Sequence, residues 1–190
     1  MGRLNKLAVS VTLHTNRENT QALRSKQAFV TALYKLMARD TYQDLTVTQI
    51  CQEACVTRQT FYRHFRAKQD ILAYDFRACF HTHMAHYPDG GIKANLTHIF
   101  QNPPMDRKKL RLLKQYNLFF LLEECMVNFL ENDIRQFAII PLLGTERYRS
   151  YQNRFIAATL VTIFSCWTDN DFAESPEELT SLALCMLGGV

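Results

Sequence analysis

Residues 46–65, T-V-T-Q-I-C-Q-E-A-C-V-T-R-Q-T-F-Y-R-H-F, place two helix-start signals so close together that only two short helices can fit between and after them. Thr46 and Gln49 match the Ser/Thr-x-x-Glu/Gln pattern, in which the cap residue and the third helical residue satisfy each other's backbone N–H groups. Thr57 is a second good cap. The spacing predicts one helix over about Val47–Ala54, a tight turn at Cys55–Val56, and another helix over about Arg58–Phe65. Helices this short are unstable alone and must be held by apolar contacts. Ile50, Cys51 and Ala54 point inward from the first, Val56 plugs the turn, and Phe61 and Phe65 anchor the second. A stripe at helical spacing just upstream, Phe29, Ala32, Leu33, Leu36 and Met37, supplies the third wall, with Tyr42 and Leu45 closing the unit.

The outward face of the second short helix is polar: Arg58, Gln59, Thr60, Tyr62, Arg63 and His64. Arg and Gln can make paired hydrogen bonds to base edges, and Thr offers a methyl and a hydroxyl. Tyr62, His64 and Lys68 are of types that donate to phosphates. Residues 1–77 carry 12 Lys/Arg against 6 Asp/Glu, a balance of +6, while residues 78–190 carry 10 against 12, a balance of −2. The N-terminal part is thus suited to a polyanion and the remainder is not.

The stretch Thr57-Arg58-Gln59-Thr60-Phe61-Tyr62-Arg63-His64-Phe65, followed by Lys68 and Ile71-Leu72, closely resembles the signature of TetR-type (TetR/AcrR) transcriptional regulators. The resemblance runs from Ser25 to Leu72. It implies a cytoplasmic homodimer that binds a palindromic operator in double-stranded DNA, acting as a repressor that a small-molecule inducer releases. It places Thr57, Arg58, Gln59 and Thr60 where the family reads bases. Tyr62, His64 and Lys68 fall where it clamps phosphates, and Thr46 and Thr48 where it touches the backbone further. The helix from Lys68 to about Ala85 corresponds to the connector that moves the DNA heads. Two positions depart from the family pattern. Cys55 stands where Gly is usual, in a turn that favours a left-handed backbone, and Ala67 stands where a Ser or Asn cap is usual.

The expected fold class is all-α: a three-helix DNA-binding head over 22–70 behind an N-terminal arm of 1–21, and a helical regulatory and dimerisation domain over 71–190. Residues 1–22 read as a mobile arm that becomes helical near its end. Phe155–Trp167 is apolar nearly all round, and the last helix, with Leu179, Leu182, Ala183, Met186 and Leu187, carries one broad stripe. Breaks fall at Pro88–Gly91, Asn102–Pro104, Pro141–Gly144 and Asp169–Pro176. The Trp-ended helix and the short final one are similar to the dimerising pair of many TetR-type proteins, which makes Phe155, Ala158, Val161, Thr162, Leu182 and Met186 the expected dimer contacts. Phe100, Tyr116, Phe119, Phe120 and Glu123 are the expected lining of a ligand pocket, apolar with a few polar groups.

Other chemistry finds little support. There is no run of 18 apolar residues for a membrane span, and no small-residue cleavage site after the N-terminal apolar patch. No phosphate loop, nucleophile elbow or H-E-x-x-H is present, so no enzyme and no cofactor are expected. Cys79, His83 and His86 share a helix face but rarely converge on one metal ion from a single helix, and Cys51 and Cys55 read as packing. Control by a partner protein, by a thiol or by a metal stays open beside control by an organic ligand. A closed body core would favour the partner protein, and an apolar cavity would favour the ligand.

Overall fold

The computed structural model describes residues 4–84, 91–132 and 146–188, with side chains at 20–82, 91–132 and 147–188. Among these residues there are helices and turns and no strand. The chain divides into a first unit, Met1–Ile71, and a second, Leu72–Val190.

The first unit is built from α1 (Leu4–Met37), a 3₁₀ turn (Tyr42–Asp44), α2 (Val47–Glu53), α3 (Arg58–His64) and the start of α4 (Lys68–Met84). Its core is the stripe read from the sequence: Phe29, Leu33, Met37, Ile50 and Phe61 are wholly buried, with Cys51, Tyr42, Leu45 and Phe65 close behind. The arm differs from expectation. Helix α1 is continuous from Leu4, so the described backbone shows no break between arm and head. The segment has neither Gly nor Pro to interrupt it.

Both departures from the family pattern have a structural reading. Cys55 does adopt the left-handed backbone, with φ 53°. Its amide donates to Gln52 O and that of Val56 to Cys51 O, closing α2 and turning the chain towards Thr57. Ala67 has no side-chain oxygen with which to cap α4. Asp70 takes over: one carboxylate oxygen, Oδ2, accepts from the backbone amides of Arg66 (2.7 Å) and Ala67 (3.1 Å). This is half of a capping box, and the negative charge also suits a helix N-terminus.

The second unit continues along α4 and adds α5 (Gly91–Gln101), α6 (Arg107–Gln115), α7 (Phe119–Asn132), α8 (Arg149–Asp169) and α9 (Pro176–Met186). Helix α8 lies along α6, α7 and α9, while α5 packs on α9, where the Thr180 hydroxyl meets that of Thr97 at 3.3 Å. Pro176 is the first residue of α9, preceded by the Ser175 cap and its reciprocal partner Glu178. Three of the five cations of α6 are paired within the unit. Lys109 pairs with the buried Asp75 of α4 at 2.7 Å, Lys114 with Asp169 at 2.6 Å, and Arg111 with Asp171.

At the end of α8, Asp171 and Phe172 are both left-handed. An aromatic residue there is a true outlier, costing about 1–2 kcal/mol. The ring is held in compensation. It meets Trp167 edge-on at 5.1 Å, and the guanidinium groups of Arg107 and Arg111 lie 4.9 and 5.2 Å from it. Burial of a Phe side chain contributes about 1.5–3 kcal/mol, enough to offset the backbone strain.

Cys55→Gly removes about 1–2 kcal/mol of left-handed strain and adds about 0.5–1 kcal/mol of unfolded-state entropy. Denaturant unfolding followed through the head should therefore show a gain of roughly 0.5–1 kcal/mol, whereas Cys55→Ala, which keeps the Cβ, should show none.

Candidate nucleic-acid interface

Helix α3 has seven residues, and Phe61 is its single fully buried side chain. Its ring is met edge-on by Phe29 at 5.4 Å, and Phe65 lies 5.7 Å away. Phe29 also meets Phe65 edge-on at 6.0 Å. This trio fixes the rotation of α3 about its own axis. With Phe61 inward, Arg58, Gln59, Tyr62 and Arg63 are exposed and Thr60 is half-exposed. Tyr62 is 54 % exposed although its ring stands edge-on to Phe61.

The threonines at the helix starts serve first as caps. Thr57 Oγ1 accepts from the Thr60 amide at 3.2 Å and its hydroxyl lies 3.1 Å from that of Thr60, which sets both at the N-terminal end of α3. Thr46 exchanges hydrogen bonds with Gln49, whose Oε1 accepts from the Thr46 amide at 2.9 Å. Thr48 is exposed in the first turn of α2. Behind these helices Glu53 of α2 pairs with Lys35 and, at 2.9 Å, with Arg39 of α1, and these two cations hold its carboxyl below the usual range. This brace was not legible as a site feature. Its charged residues fall at ordinary surface positions of the sequence.

His64 and Lys68 depart from the simple picture of outward phosphate donors. The His64 Nε2 is buried without a hydrogen-bond partner. Burial first, then the charges of Arg63 and Lys26, lower its pKa below the ordinary histidine value. The Lys68 ammonium is directed at the protein's own backbone: Tyr42 O at 2.7 Å, Gln43 O at 2.8 Å and Leu45 O at 2.9 Å. It also lies 4.6 Å from the centre of the Tyr42 ring. An ammonium has three N–H donors and all three are taken. The structure thus places the Lys68 ammonium on the protein's own carbonyls.

These observations build a helix pair whose second member presents Arg, Gln and Thr at one end and Tyr and Arg beyond it, on a rigid aromatic support. Residues 29–74 match the model of the bacterial regulatory proteins of the tetR family. The head is similar to that family over these residues. Solved structures agree in fold along nearly the whole chain. A TetR transcriptional regulator from Streptococcus agalactiae 2603V has a TM-score of 0.59 at 19 % identity, covering 91 % of this chain and 98 % of that one. The fatty acid degradation regulator FadR from Bacillus halodurans gives 0.54 at 17 %, covering 87 % and 96 %. The dihydroxyacetone kinase operon activator DhaS gives 0.51 at 20 %, covering 86 % and 93 %. No curated protein matches the chain. Over its head the chain matches the tetR-family model, and its described residues are all-α, with no helix among them long and apolar enough to cross a membrane.

The remaining sequence-predicted residues fall as follows. Of the dimer set, Phe155 (55 %), Leu182 (48 %), Met186 (43 %) and Thr162 are exposed and Ala158 is half-buried. Val161 is 4 % exposed within a single chain, so it belongs to the protomer core. It lies one residue before Thr162, about 100° round the helix, on the face that packs inward. Tyr148 and Tyr151, absent from the expected set, are exposed at the start of the same helix, Tyr151 by 75 %. Of the pocket set, Phe100 is buried against Phe164 at 5.6 Å, and Phe120 is 55 % exposed. Tyr116 closes α6, while Phe119 and Glu123 are half-buried on α7. None of these five lines an apolar cavity found among the described residues of the second unit. That cavity, about 10 Å³, is bounded by Phe80, Pro104, Met105, Leu110, Leu122, Met126 and Phe164. Its walls combine two aromatic rings, Phe80 and Phe164, with aliphatic and methionine side chains.

Among the described residues no three His, Cys, Asp or Glu side chains gather in a way that could hold a metal ion. Burial pushes the Cys79 and Cys125 thiols up to about 11 and raises that of Cys51. Thiols so raised are poor nucleophiles. His83 and His86 lie outside the described residues.

A histidine with a lowered folded pKa leaves the unfolded chain as the better proton acceptor. Stability is then held above the unfolded pKa and is lost as pH falls through about 6.5 towards the lower folded value. Unfolding of the wild type from about pH 7.5 to about pH 5.5 should therefore show a steeper loss than unfolding of His64→Gln. Equal slopes would remove His64 as the source.

Proposed function

We propose that the protein is a cytoplasmic homodimeric repressor that places two copies of α3 in successive major grooves of a palindromic operator. The observation that carries this reading is the α3 surface. Phe61 is wholly buried, and Arg58, Gln59, Tyr62 and Arg63 all face outward. Arg58, Gln59, Thr57 and Thr60 read base edges, while Tyr62, Arg63, His64, Thr46 and Thr48 meet the backbone. His64 requires a small ring movement to bring Nε2 to a phosphate oxygen. No enzymatic step belongs to this reading.

The dimer is argued from α8 and α9. Tyr151, Phe155 and Thr162 on α8, with Leu182 and Met186 on α9, form an exposed, largely apolar face of the kind that a two-fold partner covers. Two heads about 34–36 Å apart match one turn of DNA. An inducer that changes that spacing by a few ångströms would stop both from docking. The apolar cavity beneath Phe80 and Phe164 is the place for such an inducer to enter, its walls including two pliable methionines, Met105 and Met126. Its size favours a second reading as well. At about 10 Å³ it has room for little more than a water, which suits release by a partner protein. A thermal-shift screen of small apolar molecules separates the two: stabilisation by any of them supports the inducer.

The function is tested by selecting bound sequences from random duplex DNA. A two-fold symmetric site should emerge, and Gln59→Ala should relax preference at one position of each half-site by about 1–3 kcal/mol. A selected pool without symmetry counts against the dimeric reading. Independently, Phe155→Arg should shift sedimentation towards the monomer and weaken operator binding, since a buried unpaired charge at an interface costs several kcal/mol.

A further inference from the structure

We infer that Lys68 is a positioning residue for DNA binding: its ammonium pins the first turn of α4 to the backbone leading into α2, and it does not act as a phosphate ligand. This rests on the DNA-binding reading above and assigns one of its residues a different task.

The geometry is that of a cation in a carbonyl cradle. Three backbone oxygens, Tyr42 O, Gln43 O and Leu45 O, converge on one Nζ at 2.7–2.9 Å. The Tyr42 ring closes another side at 4.6 Å. These carbonyls belong to the 3₁₀ turn, Tyr42–Asp44, and to Leu45, which immediately precedes the Thr46 cap of α2. The turn makes its own bonds, Asp44 N to Thr41 O and Leu45 N to Tyr42 O, so the ammonium supplies what the turn lacks. Asp44 is the acidic neighbour that partly offsets the cost of withdrawing the ammonium from water.

The position matters because α2 is short and begins at this segment. Its start is set by the Thr46–Gln49 exchange, its end by the strained turn at Cys55, and α3 follows at once. A shift of residues 42–45 is therefore passed to Thr46 and Thr48, and through α2 to Arg58 and Gln59. Lys is suited to this task and Arg is not. A tetrahedral ammonium can aim three N–H bonds at three converging oxygens, whereas a planar guanidinium spreads its donors in a fork. The two roles thus make opposite demands on the side chain. A phosphate ligand needs charge at this position, and a carbonyl pin needs an ammonium.

The test compares wild type, Lys68→Met and Lys68→Arg for binding to a mixed-sequence duplex across a range of salt, at a temperature where circular dichroism shows each to be folded. Hydrogen exchange is measured on the same proteins without DNA. The expected result is that both variants bind about tenfold more weakly at every salt concentration. The slope of log affinity against log salt should stay unchanged, and exchange should speed up selectively at the amides of 42–50. Three results would overturn the inference: Arg binding like wild type, Met lowering the slope by about 0.9 as loss of one phosphate contact requires, or exchange rising evenly through the head. If wild type itself fails to bind duplex at low salt, the DNA-binding reading fails, and the exchange measurement still decides whether Lys68 pins the turn.

Discussion

A helix of seven residues cannot fix its own orientation, and α3 depends on Phe61 to do so. Ordering each backbone residue costs about 1–2 kcal/mol. One internal turn of hydrogen bonds does not repay that. Burying Phe61 contributes about 1.5–3 kcal/mol, and its aromatic contacts, edge-on with Phe29 and tilted with Phe65, add about 0.5–1.5 kcal/mol each. The same contacts decide which face is left outside. Were the ring to leave its place between Phe29 and Phe65, the face carrying Arg58, Gln59 and Arg63 would no longer be held outward.

Charge is distributed by task. The sequence balance of +6 over residues 1–77 counts every cation alike. The structure separates them. Lys35 and Arg39 are paired with Glu53, and Lys68 is bonded to three carbonyls. Arg58 and Arg63 stay exposed on α3. In the second unit four of the five cations of α6 meet Asp75, Asp169, Asp171 and the Phe172 ring, so this basic helix serves largely as an internal fastening.

Two departures from the family pattern are handled by different means. The missing cap at Ala67 is repaired by Asp70, which accepts the amides of Arg66 and Ala67. The missing glycine at Cys55 is left as strain, with φ 53° on a residue that has a Cβ. A cap can be replaced from another position because a hydrogen bond needs only an oxygen within reach. A left-handed backbone cannot, because the clash belongs to the residue itself.

What the chain's letters determined was everything that depends on periodicity and local signals. The all-α class, the stripe Phe29–Met37, the capped starts at Thr46 and Thr57, the Pro176 start of α9 and the inward Phe61 all follow from spacing along a helix, which is a local property. The signature from Thr57 to Leu72 was legible for the same reason. Tertiary structure alone decided where long side chains end. Lys68 reaches back more than twenty residues to the carbonyls of 42–45. Val161 turned into the protomer core, a cavity formed where Met105, Met126 and Leu122 meet Phe80 and Phe164, and α1 ran unbroken from Leu4. A lysine carries the same letter whether its ammonium meets water, a phosphate or three carbonyls. Only the folded chain brings its partners within hydrogen-bond distance.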